Sequence, residues 1–252
     1  MTGSAESQSL VVVGGWGVDA AMLGGVVAEW PGRVHFVSLG DSLLASNRTV
    51  SEVAQDLIRQ YPEPAVWLGW SQGAQVVMAA AGVSGTPVEK LITLAGFPRF
   101  VAGDGWSPGM APETLEAFRA GRAGLAADPN RAWRRFQQLL IHGCPKNEAG
   151  QARRELSQWI ASGPVATGEK LERGLDWLAQ EDQRSLWRHL KLPALHLLAG
   201  ADALVRPWIP DLSVSESTTV QVVADMTHWP MGSRARECGR ALNEFALAGE
   251  TV

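Results

Sequence analysis

Cysteine is scarce in this chain: its two residues, Cys144 and Cys238, lie far apart and form no Cys-x-x-Cys pair. Neither a disulfide framework nor a thiolate zinc site is indicated, and a reducing compartment fits. Basic charge is not in excess either. With 22 Lys+Arg against 26 Asp+Glu the formal charge is −4, so the positive field that would hold a nucleic-acid backbone is missing. No uncharged apolar run approaches the roughly 18 to 20 residues that span a bilayer. The apolar run that follows the small, polar stretch Met1 to Ser9 contains Gly14-Gly15 and is too short for the usual layout of a signal peptide. Internal repeats and low-complexity tracts are absent as well. These absences lead us to expect a soluble, cytoplasmic protein that binds neither nucleic acid nor membrane and needs no metal or cofactor.

What is present is apolar material for one substantial core: 252 residues, 46% of them hydrophobic. Leu10-Val11-Val12-Val13 is a continuous apolar run closed by Gly14-Gly15, the pattern of a strand buried on both faces, as in a parallel sheet. Val18 to Trp30 is expected to be helical, and Val34 to Leu39 to be a second strand ended by Gly40-Asp41. Thr49 to Tyr61 places Val50, Val53, Ala54, Leu57 and Ile58 at amphipathic spacing, and Pro62 and Pro64 end it. Further strands follow at Ala65 to Leu68, Leu91 to Ala95, Ala194 to Leu198 and Val220 to Val223, with a small-residue helix from Ser71 to Ala81. Residues 96–193 carry helical periodicity and almost no strand signal, in Pro112 to Arg122, Arg131 to Ile141, Glu148 to Ala161 and Gly168 to Ala179. Alternating strands and helices predict an α/β fold with a doubly wound, mostly parallel sheet. The helical block must then pack outside it as a cap. The predicted division is a core of residues 1–105 and 191–252 and a helical cap of residues 106–190, inserted between the fourth and fifth strands.

The chemistry is concentrated in Gly69-Trp70-Ser71-Gln72-Gly73. Gly-x-Ser-x-Gly alone is a weak string, but here it leaves an apolar strand and opens a helix, the setting of a nucleophile elbow. Two glycines let strand and helix approach without clashing Cβ atoms, and the helix N-terminus favours negative charge at the serine oxygen. A hydroxyl is a poor nucleophile near neutral pH and needs an adjacent base. His35 and His196 fall within strands, His196 reading as a core histidine, while His142 and His189 fall in the helical block. His228 sits in the loop Asp225-Met226-Thr227-His228-Trp229-Pro230 just beyond the last strand, where side chains reach the carboxyl edge of a parallel sheet. An aspartate directly after the preceding strand, Asp202, is predicted to orient that histidine. Asp225 is its rival, and Asp182 comes too early in the chain. The order Ser71, Asp202, His228 is that of the α/β-hydrolases. Backbone amides of Gln72, after the nucleophile, and of Trp16, in the turn Gly14-Gly15-Trp16-Gly17, are the predicted oxyanion donors.

Around that constellation the residues resemble a known family, the pimeloyl-[acyl-carrier protein] methyl ester esterases of biotin synthesis. The resemblance spans most of the chain. It rests on Gly15-Trp16-Gly17, on Trp67-Leu68-Gly69-Trp70-Ser71, on Leu94-Ala95-Gly96-Phe97-Pro98-Arg99-Phe100 leading to Trp106-Ser107-Pro108-Gly109, and on Asp202-Ala203-Leu204-Val205. Tryptophan inside the elbow is the most telling of these matches. The resemblance implies a serine carboxylesterase that hydrolyses the methyl ester of pimeloyl-acyl-carrier protein, with Trp16, Trp70 and Phe136 of the cap lining the acyl chain. It also implies that cap arginines grip the acidic carrier: Arg131 and Arg135, followed by Arg153 and Arg154. Between Arg119 and Arg135 stand five arginines and one acid, Asp128, a local basic stretch suited to an acidic partner. A solvated helix face is the plainer reading of the same arginines. A monomer is expected. Two other readings of the whole fit the same motifs: a general short-chain carboxylesterase, and a catalytically silent hydrolase-fold binding protein.

Overall fold

Every residue of Leu10–Val13 (β1), Ala65–Trp70 (β3) and Ala194–Ala199 (β5) is buried, which is what interior strands covered by helices on both faces require. Our computed structural model describes residues 8–45, 48–123, 136–209 and 212–248. Val34–Val37 (β2), Val88–Leu94 (β4) and Thr218–Val223 (β6) complete a sheet of order β2-β1-β3-β4-β5-β6. Each neighbouring pair in it is parallel. The edges betray themselves by exposed apolar side chains, Phe36 on β2 and Val222 on β6.

From β1 the chain goes to one side to form β2 and then returns to the other side to form β3. The carboxyl ends of β1 and β3 therefore flank the point where strand order reverses, the customary place for a ligand crevice in such sheets. Both Gly14-Gly15-Trp16-Gly17 and Ser71 emerge there.

Local chemistry explains the helices. In Val50–Gln60 (α1), Thr49 caps the first turn by accepting from the Glu52 amide at 3.2 Å, while the Thr49 amide donates back to the Glu52 carboxylate at 2.7 Å. Gln72–Ala81 (α2) is small and almost wholly buried, packed against β3, β4 and α1. The expected helix over Val18 to Trp30 is instead a 3₁₀ turn, Ala20–Leu23, capped by Asp19, followed by further i→i+3 turns such as Val26 N–H to Leu23 O. Gly24-Gly25 sits in the middle of that stretch, and two consecutive glycines remove the propensity to carry an α-helix through it.

Between β4 and β5 the chain forms Pro112–Ala123 (α3), a helical stretch at 136–140, Ala149–Ile160 (α4), Gly168–Gln180 (α5) and Arg184–Arg188 (α6). Gly232–Leu247 (α7) follows β6. Among the described residues no helix is long and apolar enough to cross a membrane.

The helix α5 is tied to core loops along its length. The Arg173 guanidinium and the Trp177 indole N–H all donate to the Arg48 carbonyl, at 2.9 to 3.2 Å. At its start the Thr167 amide donates to Asp41 at 2.7 Å.

Candidate active site

Ser71 has φ 55° and ψ −123°, a backbone conformation that L-residues avoid. The sharp turn is possible because of its glycines. A Cβ on Gly73 would stand 2.3 Å from the Val13 carbonyl oxygen, and one on Gly69 would stand 2.6 Å from the Ala74 Cα. Held this way, Ser71 donates its amide to the Leu94 carbonyl at 3.0 Å and lifts its hydroxyl above the sheet edge.

His228, from the loop after β6, meets that hydroxyl: its Nε2 lies 2.7 Å from Ser71 Oγ. On the other side of the ring, Nδ1 lies 2.7 Å from Asp202 Oδ2. The second oxygen of Asp202 accepts from the Leu204 and Val205 amides at 2.7 and 3.1 Å, so the carboxylate is fixed at both ends. An ionised Asp202 makes Nδ1 the protonated nitrogen and leaves the Nε2 lone pair to receive the serine proton. All three side chains are buried. The Ala201 amide donates to the Met226 carbonyl at 2.8 Å, tying the aspartate loop to the histidine loop.

Other candidates are placed elsewhere. Asp225 is turned toward Arg234 at 3.5 Å, and Asp182 pairs with Arg184 at 2.6 Å. His142 is exposed, and so is His189, whose Nδ1 bonds the Ser185 carbonyl. His35 lies on the edge strand β2 against Tyr61. His196 is fully buried in β5, and burial pushes its pKa from 6.5 down to about 3. Among the described residues no three His, Cys, Asp or Glu side chains converge as metal ligands would.

The predicted oxyanion donors adjoin the serine. A Cβ on Gly15 would stand 3.1 Å from the Ser71 Cβ, so the Gly15-Trp16 segment runs directly against Ser71. Gln72 opens α2, where the first amides have no carbonyl partner within the helix. The Trp16 ring stands edge-on to Phe136, with centroids 4.8 Å apart, and to Phe118 of α3 at 5.8 Å. These three rings bring an apolar surface to the Gly14-Gly15-Trp16-Gly17 turn. Phe118 escaped the sequence reading, although it lies three residues beyond the buried Leu115 on the inner face of its helix. Trp70 is 1% exposed, and its indole N–H donates to the His228 carbonyl at 2.8 Å. Its polar end is thus committed to the histidine loop.

Of the arginines expected to grip a carrier, Arg153 and Arg154 are exposed on α4 and have no carboxylate partner among the described residues. Arg131 and Arg135 lie outside the described residues. Arg119 is half-buried and paired with Asp176 of α5 at 3.2 Å.

Comparison with known proteins identifies the family. Residues 10–241 match the Alpha/beta hydrolase family. A pimeloyl-[acyl-carrier protein] methyl ester esterase of Pectobacterium carotovorum subsp. carotovorum is 33% identical over 254 residues, covering 98% of this chain and 97% of the relative. Proteins of the same name from Vibrio cholerae and Methylococcus capsulatus are 32% and 31% identical, with 96% of each chain covered. Among solved structures, an esterase from Exiguobacterium antarcticum has a TM-score of 0.74 at 14% identity, covering 96% of this chain and 92% of the other. A bromoperoxidase from Bacillus anthracis has a TM-score of 0.73 at 17% identity, covering 95% and 92%. Likeness at such low identity speaks for the fold alone.

Proposed function

Because this chain belongs to the α/β-hydrolase family, and within it to the pimeloyl-[acyl-carrier protein] methyl ester esterases, we propose that it is a serine carboxylesterase that frees pimeloyl-acyl-carrier protein from its methyl ester during biotin precursor synthesis. The observation that carries the catalytic part is the unbroken relay from Ser71 through His228 to Asp202, with 2.7 Å at both hydrogen bonds. The full-length likeness to relatives of that name supports the substrate.

In this reading Ser71 Oγ attacks the ester carbonyl carbon while its proton passes to His228 Nε2. The carbonyl oxygen becomes an oxyanion and accepts from the Gln72 and Trp16 amides; one such donor is worth about two to three orders of magnitude in rate. Collapse breaks the bond to the methoxy oxygen, which leaves as methanol with the proton from Nε2. Water then attacks the acyl-enzyme and gives one proton to Nε2, and the carboxylic acid departs as that proton passes to Ser71, the acid ionising in solvent. Asp202 holds the ring and stabilises the transient imidazolium without taking the proton. Trp16, Phe118 and Phe136 border the acyl chain, and Trp70 holds the histidine loop. The helices between β4 and β5 form the cap. In the same reading Arg153 and Arg154, exposed on α4, bind an acidic carrier together with Arg131 and Arg135, since guanidinium pairs with carboxylate and phosphate. The chain works as a monomer in the cytoplasm.

Rescue of a biotin-requiring strain that lacks its own esterase tests the substrate. Growth is expected with the wild-type chain, and no growth despite soluble expression refutes it. Ser71→Ala should abolish both growth and p-nitrophenyl ester hydrolysis, and a fluorophosphonate should label Ser71 alone. A variant as active as its parent would refute the site, and ester hydrolysis without rescue would favour a general short-chain esterase.

A further inference from the structure

Both predicted oxyanion donors are backbone amides, and the side chains of those same two residues end on one turn of α5. The Trp16 indole N–H donates to the Leu171 carbonyl at 2.8 Å, and the Gln72 side-chain amide donates to the Gly174 carbonyl at 2.6 Å. Leu171 and Gly174 are three residues apart, hence neighbours on one helix face. There the fit is tight. A Cβ at Gly174 would stand 2.5 Å from Trp16 Cδ1, 2.8 Å from Trp16 Nε1 and 3.3 Å from Gln72 Oε1. Retreat of α5 is opposed by its bonds to Arg48 and Asp41 and by the Asp176 pair with Arg119. An added methyl group would therefore displace the Trp16 ring before it displaced the helix.

We propose that Gly174 is a positioning residue for the oxyanion hole: by having no side chain, it lets α5 seat Trp16 and Gln72 together and so fixes the spacing and aim of their two backbone amides. The inference rests on the assignment of those amides in the proposed mechanism. Gly174 touches no reacting atom. Its effect passes through the two residues it seats.

The test compares Gly174→Ala with Gly168→Ala in the same helix, where a Cβ meets nothing within 4 Å. On a p-nitrophenyl ester, Gly174→Ala should lower kcat by about 10- to 100-fold, less than or equal to the loss of one donor, and leave KM little changed. Gly168→Ala should match the wild type. Trp16→Leu keeps the amide and removes the ring, so adding Gly174→Ala to it should cost less than about threefold. An equal cost in both backgrounds, a normal kcat, or a loss seen only in KM overturns the proposal. Should Gly174→Ala fail to fold, Gln72→Leu decides: it keeps the amide but loses the tie to Gly174, and a normal kcat there overturns the proposal as well. Ser71→Ala runs alongside. If it is active the site assignment itself falls; if it is dead and the Gly174 and Gln72 variants are normal, only this inference does.

Discussion

The interior of β5 and the loop beyond β6 each hold a buried histidine, and the two are bonded alike on one side. His196 meets the Thr93 hydroxyl through Nδ1 at 2.8 Å; His228 meets the Asp202 carboxylate through Nδ1 at 2.7 Å. The other nitrogen separates them. His196 Nε2 has no partner among the described residues, and its ring stacks on Trp187 at 4.4 Å with Trp208 alongside. His228 Nε2 faces Ser71. Burial alone drives an imidazole toward its neutral form, and it lowers the His196 pKa to about 3. A proton can be carried by a buried ring only where a fixed anion offsets the charge and a donor stands opposite, and the site supplies both through Asp202 and Ser71.

Replacing the anion should break this contrast most severely. Asp202→Asn gives His228 a neutral partner, as His196 has, and favours the wrong tautomer; kcat for ester hydrolysis should fall by about 10⁴-fold. A loss of less than tenfold would mean that the carboxylate does not set the tautomer. In the other neighbourhood the currency is stability. Thr93→Val leaves both His196 nitrogens buried without a partner, which should cost about 1–3 kcal/mol in urea unfolding while kcat stays unchanged. A fall in kcat at full stability would place His196 in the chemistry after all.

The smallest effect concerns pH. Because the folded pKa of His196 lies below 6.5, the unfolded chain binds a proton that the folded chain refuses. Stability from this group is complete above 6.5 and is lost as pH falls toward about 3, at up to about 1.4 kcal/mol per pH unit. His196→Phe should remove one proton from that slope in unfolding measured between those limits. An unchanged slope would assign the acid sensitivity to other groups.

Much of the fold was legible because parallel strands buried on both faces must be continuously apolar. Leu10–Val13 and Ala65 to Leu68 announce themselves that way, the second strand running on to Trp70 in the structure. The elbow was legible because only glycine fits beside the Val13 carbonyl and Val77, so Gly69 and Gly73 leave a trace in residue type. Ser71 followed from the motif and its strand–turn–helix setting, and Asp202 and His228 were expected from their places after the last two strands. The helix expected after β1 failed for a local reason, since apolar spacing continued across Gly24-Gly25 while helix propensity did not.

Residue identity by itself thus determined the alternating α/β order, the serine turn, and the choice of an aspartate and a histidine at the ends of the last two strands. Only the tertiary structure decided what seats them: Trp70 on the His228 carbonyl, Trp16 on the Leu171 carbonyl and Gln72 on the Gly174 carbonyl. The reason is physical. Every residue carries a backbone carbonyl, so a partner bonded through one leaves no mark in the sequence, and only the packing of α5 and of the histidine loop shows which carbonyl is used.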